Sequence, residues 1–308
     1  MRTRMNPQVS VVIPLFNRAH RIAATLESVL AQSFQNFEVV IVDDGSSDDC
    51  HAAIEAVGDP RIRLVRQENE GASSARNRGV QEARGALVAF LDSDDRFLPH
   101  HLATMVGLLA AQPDTAAYTQ VIADRGDNRT FVKPHRGIRD GEAMADYLVC
   151  RGGFVQTSTL VVPRSWALAV PYRTDVGFGD DTDIAIRLSL AGCRFVMAPT
   201  PGAVWSDERS TDRLSSSDAA SRARFAWLDD LRGQISHRAY AGYCGWHVAK
   251  TLVRTEPLKA WRLYGKAVIS GAYAPKLALR VALQLLLNGD GYRRLADRAV
   301  GRRRKTTA

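Results

Sequence analysis

The stretch "LVAFLDSDDRFL", residues 87–98, runs an apolar segment straight into three carboxylates, Asp92, Asp94 and Asp95, with Ser93 among them. Its first residues have the length and composition of a strand buried on both faces, so the charged end marks where the chain leaves the core. In extended geometry Asp92 and Asp94 point to the same side. Two carboxylates held that close repel unless they share a proton or a cation. Taken alone, Asp-Ser-Asp-Asp is an acidic turn whose Ser93 or Asp94 caps a helix starting near Pro99. The sequence on either side argues for more.

Upstream, "VSVVI" (9–13) is a short β-branched run, expected to stop at Pro14, which lacks a ladder donor. Ile22, Leu26, Val29 and Leu30 then recur at helical spacing over 18–32, with Asn17 placed as N-cap. "FEVVIVDDGSSDD" (37–49) gives a second strand running into Asp43 and Asp44, and Ser46 or Ser47 is available to cap a helix reaching Val57. "RIRLVRQ", "SSARNRGVQEA" and "ALVAFLD" complete a βαβαβαβ order. Such alternation predicts a Rossmann-like, mostly parallel sheet flanked by helices. Ligands then sit beyond the carboxyl ends of the strands, so both acidic groups face one crevice.

Downstream, "HHLATMVGLLAAQ" reads as a helix stopped at Pro113, and two alternating runs around Gly126 and Asp127 read as a hairpin. A helix over 141–150, a strand near "TSTLVV" and a helix from Asp181 through Leu190 follow. From about Ser217 the pattern is helical to the end. We therefore expect a catalytic domain over 1–216, with halves at about 8–98 and 99–216, and a helical region with a basic tail over 217–308.

The composition, 45% hydrophobic and 24% charged over 308 residues, suits one large core with an appended subdomain and argues against disorder. Cys50, Cys150, Cys193 and Cys244 lie too far apart for the usual zinc or redox pairings, which suggests a reducing compartment. "MRTRMNPQVS" lacks the apolar core of a secretory signal, and "LALRVALQLLL" (277–287) falls short of the ~20 residues needed to span a bilayer. A cytoplasmic protein is expected. Much of the +8 net charge gathers between Arg293 and Lys305, beside amphipathic helices. Such a tail, with the helices before it, suits the inner face of an anionic membrane near a lipid-linked acceptor, a nucleic acid, an acidic ligand or plain solvent. A nucleic-acid partner is not expected, because no nucleic-acid motif is present and an acidic crevice repels phosphates unless a metal intervenes.

Paired acids suit a hard divalent ion, Mg²⁺ or Mn²⁺, arriving with a phosphorylated ligand. Asp44, at a strand end before Gly45, can accept a hydrogen bond from a base N–H such as N3–H of uracil. In "NEGASSARNRGV" (69–80) Gly71 permits a turn with positive φ and brings Arg76 and Arg78 to the first turns of a helix near the crevice, the kind of cation a diphosphate needs. In "GFGDDTDIAIRL" (177–188) Asp180 and Asp181 open a helix after a loop that Gly177 and Gly179 free to bend. A carboxylate there can act as a general base if it reaches an acceptor hydroxyl. Each group has a bland reading as cap or solvated charge; their order along one α/β frame is what joins them.

At these residues the chain resembles the family 2 glycosyltransferases. "VSVVIPLFNRAHRIAATLESVLAQSFQNFEVVIVDDGSSD" is similar to the family's opening block, and "ENEGASSARNRG", "GALVAFLDSDD" and "GDDTDIAIRL" follow in the family's order, over roughly residues 8–215. The resemblance implies a GT-A fold and inverting transfer of a sugar from a nucleotide diphosphate donor, a UDP-sugar being the first expectation, to a glycan or lipid-linked acceptor. By resemblance, Asp44 holds the donor base, with Pro14 and Phe16 as walls, and Arg76 lies at the diphosphate. Asp92 and Asp94 form the D-x-D site, with Asp94 the direct contact for Mn²⁺ or Mg²⁺ and Asp95 a second or ribose contact. Asp181 matches the catalytic base and Asp180 its supporting acid.

The chain departs from the family pattern twice. Asp180 stands where many relatives have Glu, and "AVWSDERSTDRLSSS" (203–217) lacks the usual histidine, leaving Asp207 or Glu208 to substitute. Two rival readings are a nucleotide-sugar binder of the same fold without transfer activity, and a nucleotidyltransferase. The latter wants a Gly-rich phosphate loop after the first strand, which "IPLFNRAHR" is not.

Overall fold

The computed structural model describes residues 6–110, 112–127, 129–176, 178–207, 225–287 and 291–292. Strands β1 (Val9–Leu15), β2 (Phe37–Asp43), β3 (Ile62–Arg66) and β4 (Leu87–Phe90) lie parallel in the order β3-β2-β1-β4. Helices α1 (Ala19–Leu30), α2 (Cys50–Glu55) and α3 (Ala72–Glu82) make the crossovers. The order reverses between β1 and β4, and a switch point of that kind opens a crevice at the strands' carboxyl ends.

Alternate residues of β1 serve opposite faces. Val9, Val11, Ile13 and Leu15 pack with Ile22, Leu26 and Val29 of α1, whereas Val12 joins Val88 and Phe90 under the other layer. β1 does not stop at Pro14, as its sequence suggested, but runs on through Leu15, pairing Pro14 with Val42. Val12 O still accepts from Leu91 N, and β4 pairs with β1 only as far as Val12. The side of β1 that Pro14 presents to β4 is therefore past the ladder, so its missing donor leaves no partner unserved.

Two expected caps are also absent. α1 begins at Ala19, and Asn17, at φ 51°, turns its Oδ1 away to accept from Ser47 N at 2.8 Å and Ser47 Oγ at 3.2 Å. Ser46 and Ser47 do not cap α2, which starts only at Cys50; Ser46 N donates instead to Asp43 Oδ1 and its hydroxyl accepts from Asn17 N. These contacts lace the loop after β1 to the loop after β2, on the crevice side.

Beyond β4 the sheet is mixed. β5 (Arg96–Phe97), β6 (Thr115–Asp124), β7 (Thr130–Lys133), β8 (Val161–Pro163) and β9 (Arg194–Ser206) extend it as β4-β8-β6-β9-β5, and β7 closes the expected hairpin on β6. β8 is antiparallel to both neighbours, while β6 and β9 are parallel. Between them the chain forms α4 (His101–Leu109), α5 (Met144–Cys150), α6 (Arg164–Ala169) and α7 (Asp180–Leu190). β9 had no counterpart in the sequence reading, because Pro199 and Pro201 demote a strand. Its register against β6 slips just there, Thr119 pairing with Ala198, Gln120 with Pro201 and Val121 with Ala203, so the irregularity absorbs both prolines.

The late helices are α8 (Ala226–Asp230), α9 (His237–Tyr243), α10 (Ala249–Leu252), α11 (Pro257–Ile269) and α12 (Pro275–Leu286), with a π-helical stretch over Cys244–Val248 joining α9 to α10. Trp227, Tyr243, Leu252 and Val281 share one hydrophobic cluster with Tyr147 of α5 and Ile184 of α7. The expected division near Ser217 and the basic tail from Arg293 lie outside the described residues.

Candidate active site

The crevice is built from strand ends. Asp44 follows β2 and is buried, with Gln67 Nε2 and Glu70 N donating to Oδ1 at 2.8 and 2.9 Å, and Gly71 N donating to Oδ2 at 2.8 Å. It thereby ties the loop after β3 to β2. Gly71 takes φ +91° at the start of α3, as the turn requires. Pro14 lies in β1, and Phe16, just past its end, is 44% exposed.

Arg76 of α3 is buried, and its two terminal nitrogens divide between distant parts of the chain: one donates to Asp92 Oδ1 at 2.7 Å, the other to Asp180 Oδ2 at 2.8 Å. Its guanidinium lies 5.1 Å from the ring centroid of Tyr172. Burial alone would favour the neutral form, but the charges of Asp92 and Asp180 outweigh it and hold Arg76 protonated well beyond its usual range. Arg78, the neighbouring candidate, is exposed and pairs with Glu82 one turn on, at 2.9 Å.

Asp95 is buried, accepting from Ser158 Oγ at 2.6 Å, Gln156 Nε2 at 2.9 Å and Ser206 N at 2.9 Å. The backbone N–H of Asp92 donates to Ser158 Oγ at 3.0 Å. Burial, then the charges of Asp92 and Asp94, push the Asp95 carboxyl well above the usual range. Asp94 lines a groove with His20, Arg21, Arg96, Asp124 and Ser206.

At α7, Thr157 Oγ1 donates to Asp181 Oδ1, as does Thr157 N at 3.2 Å. Burial and the adjacent Asp180 raise the Asp181 carboxyl to about 7, against the lowering effect of Thr157. Gly179, immediately before Asp180, has φ +90°. A methyl group there would run into Tyr243 Oη, with Trp227 Cζ2 at 3.2 Å. Trp227 Nε1 also donates to Phe178 O at 3.1 Å. The late helices thus clamp the loop that carries Asp180 and Asp181.

Asp92, Asp180 and Asp181 are therefore brought together around Arg76, and Asp94 and Asp95 adjoin them. Asp44 stands apart, at the β2–β3 side of the same crevice. Asp92 and Asp94 offer the hard oxygen donors that Mg²⁺ or Mn²⁺ prefers. Among the described residues no group of three or more His, Cys, Asp and Glu side chains is set to hold a metal by itself, so a cation here would draw further ligands from a bound phosphate. Asp207, the suggested extra ligand, accepts from Arg125 Nε at 3.0 Å; Glu208 lies outside the described residues.

The sequence reading missed Thr157, Ser158 and Gln156, which lie in and just before a 3₁₀ turn (Thr157–Thr159) rather than in the strand read from "TSTLVV". Their signal was a run of buried-type neighbours interrupted by hydroxyls and an amide, groups that need partners when buried. It also missed Tyr172 and Trp227, which nothing in spacing marks.

A sheet of this order, with acids at its switch point and a second acidic pair brought in on α7, is the arrangement expected of a GT-A fold. The profile of glycosyl transferase family 2 matches residues 10–165, and the chain belongs to that family. It is 33% identical over 242 residues, 74% of this chain and 79% of the relative, to the amylovoran biosynthesis glycosyltransferase AmsB of Erwinia amylovora. Among solved structures it is similar to S. aureus TarS in complex with UDP-GlcNAc, with TM-score 0.62 and 16% identity over 93% of this chain and 89% of that one. It is likewise similar to the mannosyltransferase PcManGT of Pyrobaculum calidifontis in complex with GDP-Man and Mn²⁺, with TM-score 0.61 and 20% identity over 96% and 85%. At those identities the two structures speak for the fold. The protein is a family 2 glycosyltransferase.

Proposed function

We propose that the chain is an inverting, metal-dependent transferase that moves a sugar from a nucleotide diphosphate donor, a UDP-sugar first among candidates, to a hydroxyl of a glycan or lipid-linked acceptor in cell-surface polysaccharide assembly on the cytoplasmic side. Residues of about 8–98 hold the nucleotide and those of about 99–216 the acceptor, with the described helices after residue 225 supporting both. The observation that carries this reading is the buried Arg76 joining Asp92, after β4, to Asp180, at the start of α7. It sets the donor-side acids and the candidate base around one point.

In this reading Asp44 accepts from the donor base with its remaining lone-pair capacity, between the walls of Pro14 and Phe16. Asp92 and Asp94 hold Mn²⁺ or Mg²⁺ and Asp95 braces them. A cation bound there supplies neutralisation of the charge growing on the departing diphosphate. Arg76 adds a fixed positive charge to the same end. Asp181, with a carboxyl that gains and loses its proton near neutrality, removes the proton from the acceptor hydroxyl as that oxygen attacks the anomeric carbon. Asp180, anchored on Arg76, keeps the adjacent carboxylate oriented.

The test is thermal stability with UDP, GDP and dTDP, each with and without Mn²⁺, on the parent and on Asp94→Ala. A metal-dependent rise for one nucleotide that vanishes in Asp94→Ala supports the donor site and selects the sugar nucleotides to assay. The same response in both proteins removes Asp94 from it, and no rise with any nucleotide overturns the reading.

A further inference from the structure

α11 and α12 expose side chains of an unusual kind. Leu258 and Ile269 on α11 are 87% and 88% exposed, and Leu279 and Leu286 on α12 also face solvent. At 100° per residue Leu258, Arg262 and Ile269 fall within one narrow arc of α11, and Leu279, Arg280 and Leu286 fall on one broad face of α12. The opposite faces, with Ala260 and Ala267 on α11 and Leu277, Val281 and Leu285 on α12, are buried in the protein. Each helix is therefore apolar on both sides, with basic side chains set among the outward leucines.

Single exposed leucines are ordinary. The charge pattern is not: between Pro257 and Leu287 the chain carries Lys259, Arg262, Lys266, Lys276 and Arg280 and no Asp or Glu. A helix face evolved for water interleaves both signs. Among the described residues no helix is long and apolar enough to cross a membrane.

We propose that the outward faces of α11 and α12 dock on an anionic bilayer surface, with Leu258, Ile269, Leu279 and Leu286 entering the headgroup boundary and the flanking Lys and Arg side chains meeting lipid phosphates. The physics is that of an interfacial helix, whose affinity combines buried apolar area with attraction to anionic lipid. Basic groups near such a surface add electrostatic attraction, and each leucine that leaves water adds apolar burial. The binding stands on these helices alone; its purpose, presenting Asp181 to a membrane-borne acceptor, rests on the transferase reading. The two are also joined mechanically. Gly245 lies against Ala267 and Leu263 of α11, and His247, two residues on, contacts Phe178 beside the Asp180–Asp181 loop with ring centroids 5.9 Å apart.

The experiment is co-sedimentation of the full chain with vesicles of phosphatidylcholine alone or mixed with phosphatidylglycerol. It compares the parent with L258E/I269E and with L279E/L286E, each checked for an unchanged melting temperature. The parent is expected to bind the mixed vesicles at low salt, and each variant to bind at least about tenfold less, a loss of roughly 1.4 kcal/mol. Variants that sediment like the parent overturn the proposal, as does equal capture by neutral vesicles. Sedimentation velocity tests the competing occupant, since a dimer dissolved by the same substitutions would mean that a second copy covers these faces. Nucleotide stabilisation of the same samples separates the two readings: vesicle binding without it preserves the surface and sinks the proposed nucleotide-donor site, and the reverse pattern does the opposite.

Discussion

At the end of β2 the protein meets one buried carboxylate with its own donors, whereas between β4 and α7 it crowds carboxylates that raise one another's proton affinity about the guanidinium of Arg76. Asp44 accepts three protein hydrogen bonds and organises the loop that follows β3. Asp92 and Asp180 share the single guanidinium of Arg76, while Asp95 and Asp181 are both driven toward their protonated forms. A satisfied buried carboxylate needs nothing further to be stable. A cluster in which acids raise one another's proton affinity holds negative charge that a proton, a cation or a reacting hydroxyl can relieve. The first region reads as a scaffold with spare acceptor capacity, the second as the place where chemistry happens.

The largest effect expected from breaking this contrast is on turnover. Asp181→Asn keeps the shape but cannot take a proton, so release of nucleoside diphosphate from the selected sugar nucleotide should fall on the order of 10²–10⁴-fold with nucleotide stabilisation retained. In the parent, kcat should climb with pH through about 7 as Asp181 ionises. Stability should do the reverse. The folded chain binds this proton more tightly than the unfolded chain, so the Asp181 contribution is favourable below about 4 and declines as pH rises toward about 7. Melting of Asp181→Asn should then gain on the parent between those pH values; a constant difference would place Asp181 among the matched carboxylates.

Next in size is Arg76→Met, which leaves Asp92 and Asp180 without their shared partner. Removing one member of a buried ion pair costs about 3–5 kcal/mol. The lower end is expected here because both acids keep some solvent contact, their side chains being 28% and 35% exposed. Urea unfolding measures it. A midpoint equal to the parent's would show that the acids do not depend on Arg76, and the contrast with Asp44 would collapse.

Asp44→Ala inverts the comparison by removing acceptor rather than donor. Gln67 Nε2, Glu70 N and Gly71 N lose their partner, and an unsatisfied buried donor costs roughly 1–3 kcal/mol unless water replaces the oxygen. Because the loop edge is partly open, we expect about 2 kcal/mol in the same unfolding assay, with faster amide exchange over 67–71. Unchanged exchange there would mean that the loop does not hang on Asp44.

How much of this was legible differs between the same two regions. β1 to β4 announce themselves through β-branched runs and helical spacing, and the acids at their ends follow from topology alone. Local sequence misjudged only the ends of elements: Pro14 looked like a stop because the register of β4 is invisible in one strand, and Asn17 looked like a cap because its partner, the loop after β2, lies about thirty residues away. The second region depends on pairings with no local signature. β9 hides behind Pro199 and Pro201, whose accommodation requires the slip against β6. Arg76 reaches Asp180 across 104 residues, and Thr157 reaches Asp181 across 24. The residue types there were readable; which of them meet was not.

The smallest effect tests whether the late helices belong to the second region or only cover it. Trp227 is fully buried, and its Nε1–H donates to Phe178 O, one residue before Gly179, which has no room for a side chain beneath Tyr243. Trp227→Phe removes that donor with modest loss of volume, at a stability cost of about 1 kcal/mol for the hydrogen bond. If the clamp sets the position of Asp180 and Asp181, the substitution should lower kcat several-fold and shift the pH midpoint of kcat while leaving nucleotide stabilisation intact, since the donor side sits on β1 to β4. A purely structural tryptophan would lower the melting temperature and leave that midpoint in place. The first result would make the helices after residue 225 part of the catalytic geometry, and the second would confine the crowded charge to β4, α3 and α7.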